Sequence, residues 1–245
     1  MLHGRPPSTL VWLGYLEVSA ERQAIIPAMP RALVVGNTDG IGLGLTRRLL
    51  DTGWTVVGVS RRPSDVDSPA YEHIVADVTA PGFAPRAGDV DLCVYAAGIG
   101  EPLDLADLGQ QTDAIRVNLL GAALTADAVL PGMLAAGRGH FVGLSSLADI
   151  LVTPDAPGYA ASKAGLTSYL LSLGKAVRKR GVAVTAVRFG FVDTKMAKSP
   201  VTPFKISVDE AVDVLVRVVA TRPALVSYPR RMALAARVLR AVSRP

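Results

Sequence analysis

The chain is predicted to form an α/β fold in which one parallel sheet carries helices on both faces. Short apolar runs alternate with longer helical segments from Pro30 onward, and this alternation is typical of such sheets. Half of the 245 residues are apolar, as strands buried on both faces require. A glycine-rich turn follows the first apolar run, where an open α/β sheet binds its ligand.

The predicted elements follow one another without an internal repeat or a linker to a second domain. Runs of three to five mostly apolar residues predict strands at Ala32–Val35, Thr55–Val59, Tyr71–Val75, Leu92–Ala96, Phe141–Leu144, Ala183–Val187 and Ala224–Val226. Longer segments between them predict helices at Ile41–Thr52, about Asp104–Ala136, Pro157–Arg180 and from about Val208. A bend or break is expected at Pro131-Gly132, because proline lacks the backbone N–H that a helix needs.

Composition and residue spacing argue against a nucleic-acid partner and against a metal site. The net charge is +5, but aromatic residues make up only 5% and the basic residues are scattered, so no nucleic-acid partner is predicted. Cys93 is the single cysteine and lies in an apolar run, which predicts a core thiol. His73 and His140 are expected to be structural, and no spaced cluster of ligating residues indicates a metal.

The N-terminal segment, residues 1–29, is predicted to lie outside the domain formed by residues 30–245. Its apolar run Leu10–Leu16 is similar to part of an export signal, but Glu17 lies where the cleavage region should be uncharged. Met29 directly precedes the first strand. We therefore expect either an over-extended start or a loosely packed arm, in a cytoplasmic protein.

Tyr159 and Lys163 are the most informative pair of residues. They are four residues apart on a predicted helix, so both side chains project from one face. An ammonium beside a phenol favours the phenolate, and we expect it to lower the pKa of Tyr159 and make the residue a usable acid or base. Ser146, thirteen residues before Tyr159, is the expected third member, whereas Ser145 is expected to be structural.

The glycine turn predicts a site for a cofactor phosphate. Gly36, Gly40 and Gly42 lie between the first strand and the first helix, where bare backbone lets a pyrophosphate approach a helix N-terminus. Their spacing is G-x-x-x-G-x-G rather than the more common G-x-G-x-x-G.

The end of the second strand predicts the form of the cofactor. Ser60, Arg61 and Arg62 stand where an acidic residue would bind the ribose hydroxyls of NAD, and arginine can instead accept the 2′-phosphate of NADP. Asp39 slightly favours NAD instead, because a carboxylate in the glycine turn could repel the 2′-phosphate of NADP. NADP(H) is predicted, with NAD(H) left open.

Together these motifs resemble those of the short-chain dehydrogenase/reductase family. The matching residues are the GNTDGIG turn, Asp77, Ala96–Gly98, Asn118, Ser146, Tyr159 and Lys163. The resemblance covers roughly residues 31–227. It implies a single-domain Rossmann fold with a seven-stranded parallel sheet and a nicotinamide cofactor.

The resemblance also implies a role for each matching residue. Ser146 would hold the substrate carbonyl, Tyr159 would transfer the proton, and Lys163 would lower the tyrosine pKa and bind the nicotinamide ribose. Asn118 would hold a water near Lys163, and Asp77 would hold the adenine end. The full set of implied cofactor contacts is Gly36, Thr38, Asp39, Gly40, Ile41, Gly42, Ser60, Arg61, Arg62, Asp77, Val78, Ala96, Ala97, Gly98, Tyr159, Lys163, Gly190, Val192 and Thr194.

The chain departs from the family pattern at two positions. Tyr95 replaces the usual asparagine before Ala-Ala-Gly, and Phe189 replaces the proline before Gly190. Neither change touches a reacting group, but both bear on the shape of the nicotinamide pocket.

The predicted function is interconversion of a carbonyl and an alcohol, with NADPH favoured. The alternative from another class is a catalytically silent NADP-sensing or scaffold protein. Intact Ser146, Tyr159 and Lys163 argue against that alternative, since a sensor need not retain them. Dehydration or epimerisation through the same tyrosine is a less favoured enzymatic reading.

Three further predictions concern the substrate and partners. The segment of about Asp193–Ser207 is expected to form an apolar lid, through Met196, Pro200, Val201, Pro203 and Phe204, that favours a hydrophobic carbonyl compound as the small-molecule substrate over a sugar or a small acid. The helix from about Asp104 and the helix that carries Tyr159 and Lys163 are expected to pair with their symmetry mates in a homodimer or homotetramer.

From about Tyr228 a basic amphipathic tail places Met232, Leu234, Ala235, Val238, Leu239 and Val242 on one side, so it could contact an anionic membrane or pack on the protein itself.

Overall fold

The predicted strands form one parallel sheet in the computed structural model, which describes residues 29–85, 87–150, 152, 154–196 and 202–242. Within that part of the chain the sheet has seven strands in the order β3-β2-β1-β4-β5-β6-β7, and every adjacent pair is parallel. Their bounds are β1 Arg31–Val35, β2 Thr55–Ser60, β3 Tyr71–Val75, β4 Leu92–Tyr95, β5 Gly139–Ser146, β6 Val182–Phe189 and β7 Leu225–Tyr228. The predicted arm or over-extended start lies outside the described residues except for Met29.

Helices lie in four of the six connections between strands and cover both faces of the sheet, whereas the described residues that join β2 to β3 and β3 to β4 form no helix. Their bounds are α1 Gly40–Asp51, α2 Gly109–Ile115, α3 Gly121–Ala136, α4 Pro157–Val177, α5 Val208–Thr221 and α6 Arg230–Val242. A π-helical segment, Arg116–Leu120, joins α2 to α3, and 3₁₀ turns lie at Leu147–Asp149 and Arg178–Arg180.

The long helix predicted from Asp104 is wrong at its start. Helix α2 begins at Gly109, because Asp104 and Asp107 use their carboxylates to accept the N–H groups of Ala106 and Gly109 in turns. The helix is not broken at the expected place either, since α3 runs through Pro131 to Ala136. Its irregular turn is the π-helical segment, which the residue pattern did not indicate.

The core has two halves, one on each face of the sheet. Alternate residues of each strand point to opposite faces, so β1 sends Leu33 and Val35 towards α3 and α4 but Ala32 and Val34 towards α1 and α5. Helical segment Gly109–Ala136 is apolar enough by length and composition to cross a membrane, with a mean hydropathy of 1.6. Its buried Ala122, Ala126 and Met133 pack in the first half of the core, as a core helix does.

The strand order places the ligand crevice. Strand β1 pairs with β2 on one side and with β4 on the other, so the connections reverse direction between β1 and β4. In an open parallel sheet the crevice beyond the carboxyl ends of such strands is where ligands bind. The glycine turn after β1 and residues Ala96–Gly98 after β4 both lie there.

The C-terminal tail folds as α6 and packs on its own domain. Met232, Ala233 and Ala236 contact Leu147 and Ile150. The predicted grouping of Met232 with the outward residues is therefore wrong, because small alanines let this side of the helix approach the 3₁₀ turn closely. Three large side chains remain outward, with exposed fractions of 64% for Leu234, 56% for Val238 and 54% for Leu239.

A glycine in β2 is required by close packing at the crevice. A Cβ on Gly58 would overlap both Asn37 Nδ2 and the Tyr71 hydroxyl, which are joined by a 2.6 Å hydrogen bond. We expect Gly58→Ala to lower the free energy of unfolding by about 1–3 kcal/mol through overpacking. Gly174→Ala is the matched control, because its Cβ would lie 3.4 Å from Val184, an ordinary contact, within α4. Urea denaturation that shows equal stability for the two variants would contradict this packing.

Candidate active site

The residues predicted to react converge at the carboxyl end of the sheet. Ser146 ends β5, and Tyr159 and Lys163 lie one turn apart on α4. A Cβ placed on Gly98 would lie 3.3 Å from Asn118 Oδ1 and 3.4 Å from Lys163 Nζ. The strand end, the π-helical segment and α4 therefore meet at one point.

Lys163 is held in the core by a backbone carbonyl. The residue is 4% exposed, and its Nζ donates a 2.8 Å hydrogen bond to the Leu144 carbonyl. Burial disfavours the charged form and lowers the pKa of Lys163 to about 8. The lysine can therefore change its charge close to neutral pH.

The expected lowering of the Tyr159 pKa by Lys163 is wrong for the protein alone. Burial raises the pKa of Tyr159, and the negative charge of Asp149 raises it further, whereas hydrogen bonding with Ser146 opposes the rise. Lys163 Nζ lies 5.6 Å from the centroid of the Tyr159 ring and is bonded to Leu144 instead. Desolvation of the phenol therefore outweighs the neighbouring ammonium.

The two serines at the end of β5 have different roles. Ser146 Oγ accepts the Ala148 N–H at 3.1 Å, so the hydroxyl hydrogen can point to another acceptor, such as a carbonyl oxygen. Ser145 is buried, and its Oγ donates to the carbonyl of Lys163 at 3.0 Å. The structural role predicted for Ser145 is confirmed.

Asn118 fixes the loop after β4. Its Oδ1 accepts the Ile99 N–H at 2.8 Å, and its Nδ2 donates to the Ile99 carbonyl at 2.8 Å and to Ser162 Oγ at 2.9 Å. Its proximity to Lys163 agrees with the implied proton route, and the water that it would hold stays a prediction.

The glycine turn has the shape of a phosphate site. Gly36 and Gly40 have φ values of +87° and +51°, and a Cβ on Gly36 would lie 2.5 Å from Ala97 N, so side chains are excluded there. Gly42 packs equally closely on the Gly36 carbonyl. The first-turn N–H groups of α1, including that of Ile41, have no acceptors within the helix and are suited to a pyrophosphate. These residues fit a dinucleotide cofactor.

Asp39 caps the helix and is neutralised by a residue that the sequence did not indicate. Its Oδ1 accepts the Gly40 N–H at 2.8 Å, and its Oδ2 lies 2.8 Å from Lys195 Nζ. The hydrogen bond from Lys195 is the largest cause of the lowered pKa of Asp39, and Arg62 contributes a smaller Coulombic effect. The repulsion that Asp39 was expected to exert on a cofactor phosphate is thus offset by the positive charges of Lys195 and Arg62. Lys195 was missed because its partner lies far away in the sequence.

The basic residues after β2 lie on the predicted adenosine side. Arg61 and Arg62 are exposed, and the Arg62 carbonyl is held by Ser60 Oγ at 2.6 Å and by His73 Nε2 at 2.9 Å, which confirms a structural role for His73. Asp77 accepts both the N–H and the hydroxyl of Thr79, and these bonds lower its pKa, with Arg61 adding a smaller effect.

Not every predicted cofactor contact presents a side chain to the crevice. Thr194 does adjoin the glycine turn, since its Cγ2 would lie 3.0 Å from a Cβ on Gly40. Val78 and Val192 are buried in the two halves of the core. Gly190 packs beneath Met232 of α6. These last three could contact a cofactor only through their backbone. Thr38 is half-buried in the glycine turn.

The two residues that depart from the family pattern, Tyr95 and Phe189, have their side chains buried in the core. Tyr95 is fully buried, and its hydroxyl donates a 2.5 Å hydrogen bond to the Val117 carbonyl in the π-helical segment. Phe189 is buried on the α1–α5 face. Cys93 and His140 are likewise buried, and His140 Nε2 pairs with Thr185 Oγ1 at 2.8 Å, so both are structural as predicted.

Comparison with known proteins agrees with this geometry. The short chain dehydrogenase family profile matches residues 30–203. An uncharacterized oxidoreductase of Myxococcus xanthus is 31% identical over 87% of this chain and 93% of its own. The 3-oxoacyl-[acyl-carrier-protein] reductase of Vibrio cholerae is 28% identical over 69% of this chain and 75% of its own. A short chain dehydrogenase from Burkholderia cenocepacia, solved in complex with NADP, has a TM-score of 0.77 at 25% identity, covering 88% of this chain and 94% of that chain.

The chain therefore belongs to the short-chain dehydrogenase/reductase family and is an oxidoreductase. The single-domain Rossmann fold is confirmed.

The burial of Lys163 predicts a pH dependence of stability. Its pKa is about 8 in the folded chain against 10.5 for the free side chain, so between these values only the unfolded state holds the proton. The contribution of Lys163 to the free energy of unfolding therefore rises between pH 8 and pH 10.5, by up to about 3 kcal/mol. We expect urea denaturation from pH 7 to 10 to show this rise relative to Lys163→Met.

The exposed Lys179→Met variant is the control and should follow the unaltered protein at every pH. Parallel curves for the unaltered protein and Lys163→Met would show that Lys163 titrates normally.

Proposed function

We propose that the chain interconverts a hydrophobic carbonyl compound and its alcohol, with NADPH favoured over NADH. The observation that carries this proposal is the convergence of Ser146, Tyr159 and Lys163 beside a glycine turn that fits a dinucleotide. The cofactor, when bound, supplies or accepts the hydride.

The residues of the chain then account for the proton and the orientation of the substrate. Ser146 donates its hydroxyl hydrogen to the carbonyl oxygen, since the Ala148 N–H occupies a lone pair of Ser146 Oγ and leaves the hydrogen able to point to the substrate. Tyr159, whose pKa is raised by burial of its phenol, gives its proton to the same oxygen during reduction and takes it back during oxidation. Lys163 replaces that proton, and Asn118 extends the route towards solvent.

The preference for NADPH rests on positive charge around the crevice. Arg61 and Arg62 are exposed directly after β2, where a 2′-phosphate would lie. Lys195 offsets the nearest carboxylate, Asp39. The Burkholderia relative that was solved with NADP supports the same form of cofactor.

The preference for a hydrophobic substrate rests on the segment after β6. Its base is closed by backbone pairing, in which Asp193 N–H donates to the Ile206 carbonyl at 2.9 Å and Val192 bridges Ile206. Met196 Cε would lie 3.6 Å from a Cβ on Gly98, so this side chain borders the reaction centre. Phe204 is 53% exposed, while the predicted lid residues Pro200 and Val201 lie outside the described residues. A relative named as a 3-oxoacyl reductase supports such a substrate.

Assembly and location complete the proposal. Leu108, Ile115 and Leu120 are exposed along α2 and the π-helical segment, which supports pairing of two copies on this face in a homodimer or homotetramer. A cytoplasmic enzyme remains the prediction.

Peripheral contact with an anionic membrane through α6 is proposed because Leu234, Val238 and Leu239 point outward and Arg230 and Arg231 are exposed.

Arg61→Asp tests the cofactor preference. The substitution removes a charge-assisted partner of the 2′-phosphate and introduces repulsion, so the ratio of the NADH to the NADPH dissociation constant should fall at least about tenfold. Arg178→Asp, at the opposite end of the sheet, is a matched control and should leave the ratio unchanged. Equal dissociation constants for the two cofactors in the unaltered protein would refute the preference.

Tyr159→Phe separates an enzyme from a silent sensor. With NADPH and a panel of long-chain ketones, 3-oxoacyl thioesters and sugars, we expect kcat to fall about 100-fold or more while NADPH binding survives. Tyr169→Phe, in the same helix, should retain kcat. An unaltered protein that binds NADPH but reduces nothing would favour the sensor, and a preference for sugars would overturn the apolar-lid argument.

The outward face of α6 can be tested without uncovering the core. The double variant Leu234→Ser/Val238→Ser should reduce co-sedimentation with anionic liposomes, because it removes apolar surface that would enter the interface. Val216→Ser, an exposed position on α5, is the control. Unchanged co-sedimentation in the double variant would restrict α6 to packing on its own domain.

A further inference from the structure

A chain of hydrogen bonds joins the glycine turn to residues 60–62 at the end of β2, which we call the basic turn. Asn37 Nδ2 donates to the Tyr71 hydroxyl at 2.6 Å, and that hydroxyl lies 2.7 Å from His73 Nδ1. His73 Nε2 lies 2.9 Å from the Arg62 carbonyl and 3.3 Å from Ser60 Oγ. Two side chains of β3 thus connect the glycine turn to the basic turn.

The Arg62 carbonyl fixes the direction of each bond in this chain. A carbonyl can only accept, so His73 Nε2 carries the hydrogen that it donates to Arg62. In the neutral ring Nδ1 is then the acceptor, and the Tyr71 hydroxyl can donate to it because the hydroxyl oxygen accepts from Asn37. All the bonds therefore run one way, from the glycine turn through β3 to the basic turn.

The sheet leaves room for these side chains. Tyr71 and His73 are two residues apart on β3, so they project from the same face. Gly58 of β2 is the register partner of His73, and a Cβ there would overlap the side chains of Asn37 and Tyr71. Asn37 is fully buried although its Oδ1 has no partner among the described residues. An unpaired buried acceptor is unfavourable, so stability alone does not account for asparagine at this position.

The bonded carbonyl holds the basic turn next to the glycine turn. Ser60 Oγ donates to the Arg62 carbonyl at 2.6 Å, so the hydroxyl hydrogen of Ser60 is engaged within the turn. The Gly36 N–H donates to the Val59 carbonyl at 2.7 Å and ties the glycine turn to the same strand end. The side chains of Arg61 and Arg62 remain exposed. Because the backbone beneath them is already held, it loses less conformational freedom when an anion binds.

We propose that His73 is a positioning residue for the choice of cofactor. Its bond to the Arg62 carbonyl holds the basic turn so that Arg61 and Arg62 meet the 2′-phosphate of NADPH. The inference rests on the proposed function, in which NADPH is favoured over NADH. Since NADH lacks that phosphate, loss of the bond should weaken the binding of NADPH selectively.

Three substitutions separate the hydrogen bond of His73 from its packing and its charge. His73→Leu removes both ring nitrogens. The amide of His73→Gln can donate from the place of Nε2, whereas the shorter amide of His73→Asn lies near the place of Nδ1. The dissociation constant of NADPH, measured by fluorescence without a substrate, should rise about fivefold in His73→Leu and His73→Asn but less than about twofold in His73→Gln. That of NADH should change less than about twofold in all three.

Equal weakening of NADPH and NADH in His73→Leu would reduce the residue to general packing and overturn the proposal. A loss in His73→Gln equal to that in His73→Leu would also overturn it, because it would point to a positive charge rather than to the bond. The comparison of His73→Gln with His73→Asn carries the test if His73→Leu does not fold.

The failure of the proposal is distinguishable from that of the proposed function. Equal dissociation constants for the two cofactors in the unaltered protein would refute the NADPH preference and the role of His73 with it. A preference that persists unchanged in His73→Leu would refute the role of His73 alone.

Trypsin reports on the basic turn without any cofactor. It cleaves after arginine but not before proline, so the bond between Arg61 and Arg62 is cleavable, whereas the bond between Arg62 and Pro63 is not. Cleavage after Arg61, followed by mass spectrometry, should be at least about threefold faster in His73→Leu and His73→Asn than in His73→Gln and the unaltered protein. An equal rate in all four proteins would show that the turn is held without His73 and would overturn the proposal.

Discussion

The burial of the Lys163 ammonium is the constraint on which the rest of the site depends. A charged group at 4% exposure needs a strong acceptor, and the Leu144 carbonyl at 2.8 Å provides it at the end of β5. That bond ties α4 to the strand carrying Ser146. Ser145 makes a second tie, through the Lys163 carbonyl. The spacing between Ser146 and the Tyr159–Lys163 pair is thus maintained by two hydrogen bonds of Lys163, one from its side-chain ammonium and one to its backbone carbonyl.

The same constraint explains why small residues surround the lysine. Gly98 leaves room between Asn118 and Lys163, and Gly100 lets the backbone lie against the Tyr159 ring. Where the family pattern is broken, larger side chains turn into the core instead. The Tyr95 hydroxyl binds the Val117 carbonyl directly beside Asn118, so the substitution supports the π-helical segment that places the asparagine. The reaction centre therefore retains its shape although two neighbouring residues differ.

Much of the fold could be predicted from local patterns, because buried strands and an amphipathic helix leave periodic signals. The glycine turn, the Tyr159–Lys163 spacing and the structural role of Ser145 were all visible in this way. The start of α2 at Gly109 was not, because side-chain turns at Asp104 and Asp107 compete with a segment of helical composition. The pKa of Tyr159 was predicted with the wrong sign, since spacing shows which groups are neighbours but not how deeply they are buried. Lys195 acts through a partner distant in sequence, and the contact of His73 with Arg62 joins two strands, so no local pattern reveals either.

Ser146, Tyr159 and Lys163 are proposed to support hydride and proton transfer rather than only the binding of a nucleotide. The most direct measurement uses the purified chain, a long-chain ketone and NADPH that carries deuterium at its transferable position. We expect an alcohol with one deuterium on the former carbonyl carbon, detected by mass spectrometry and formed at least about 100-fold more slowly with Tyr159→Phe. Tight binding of NADPH with no label transferred to any carbonyl compound in the panel would contradict it.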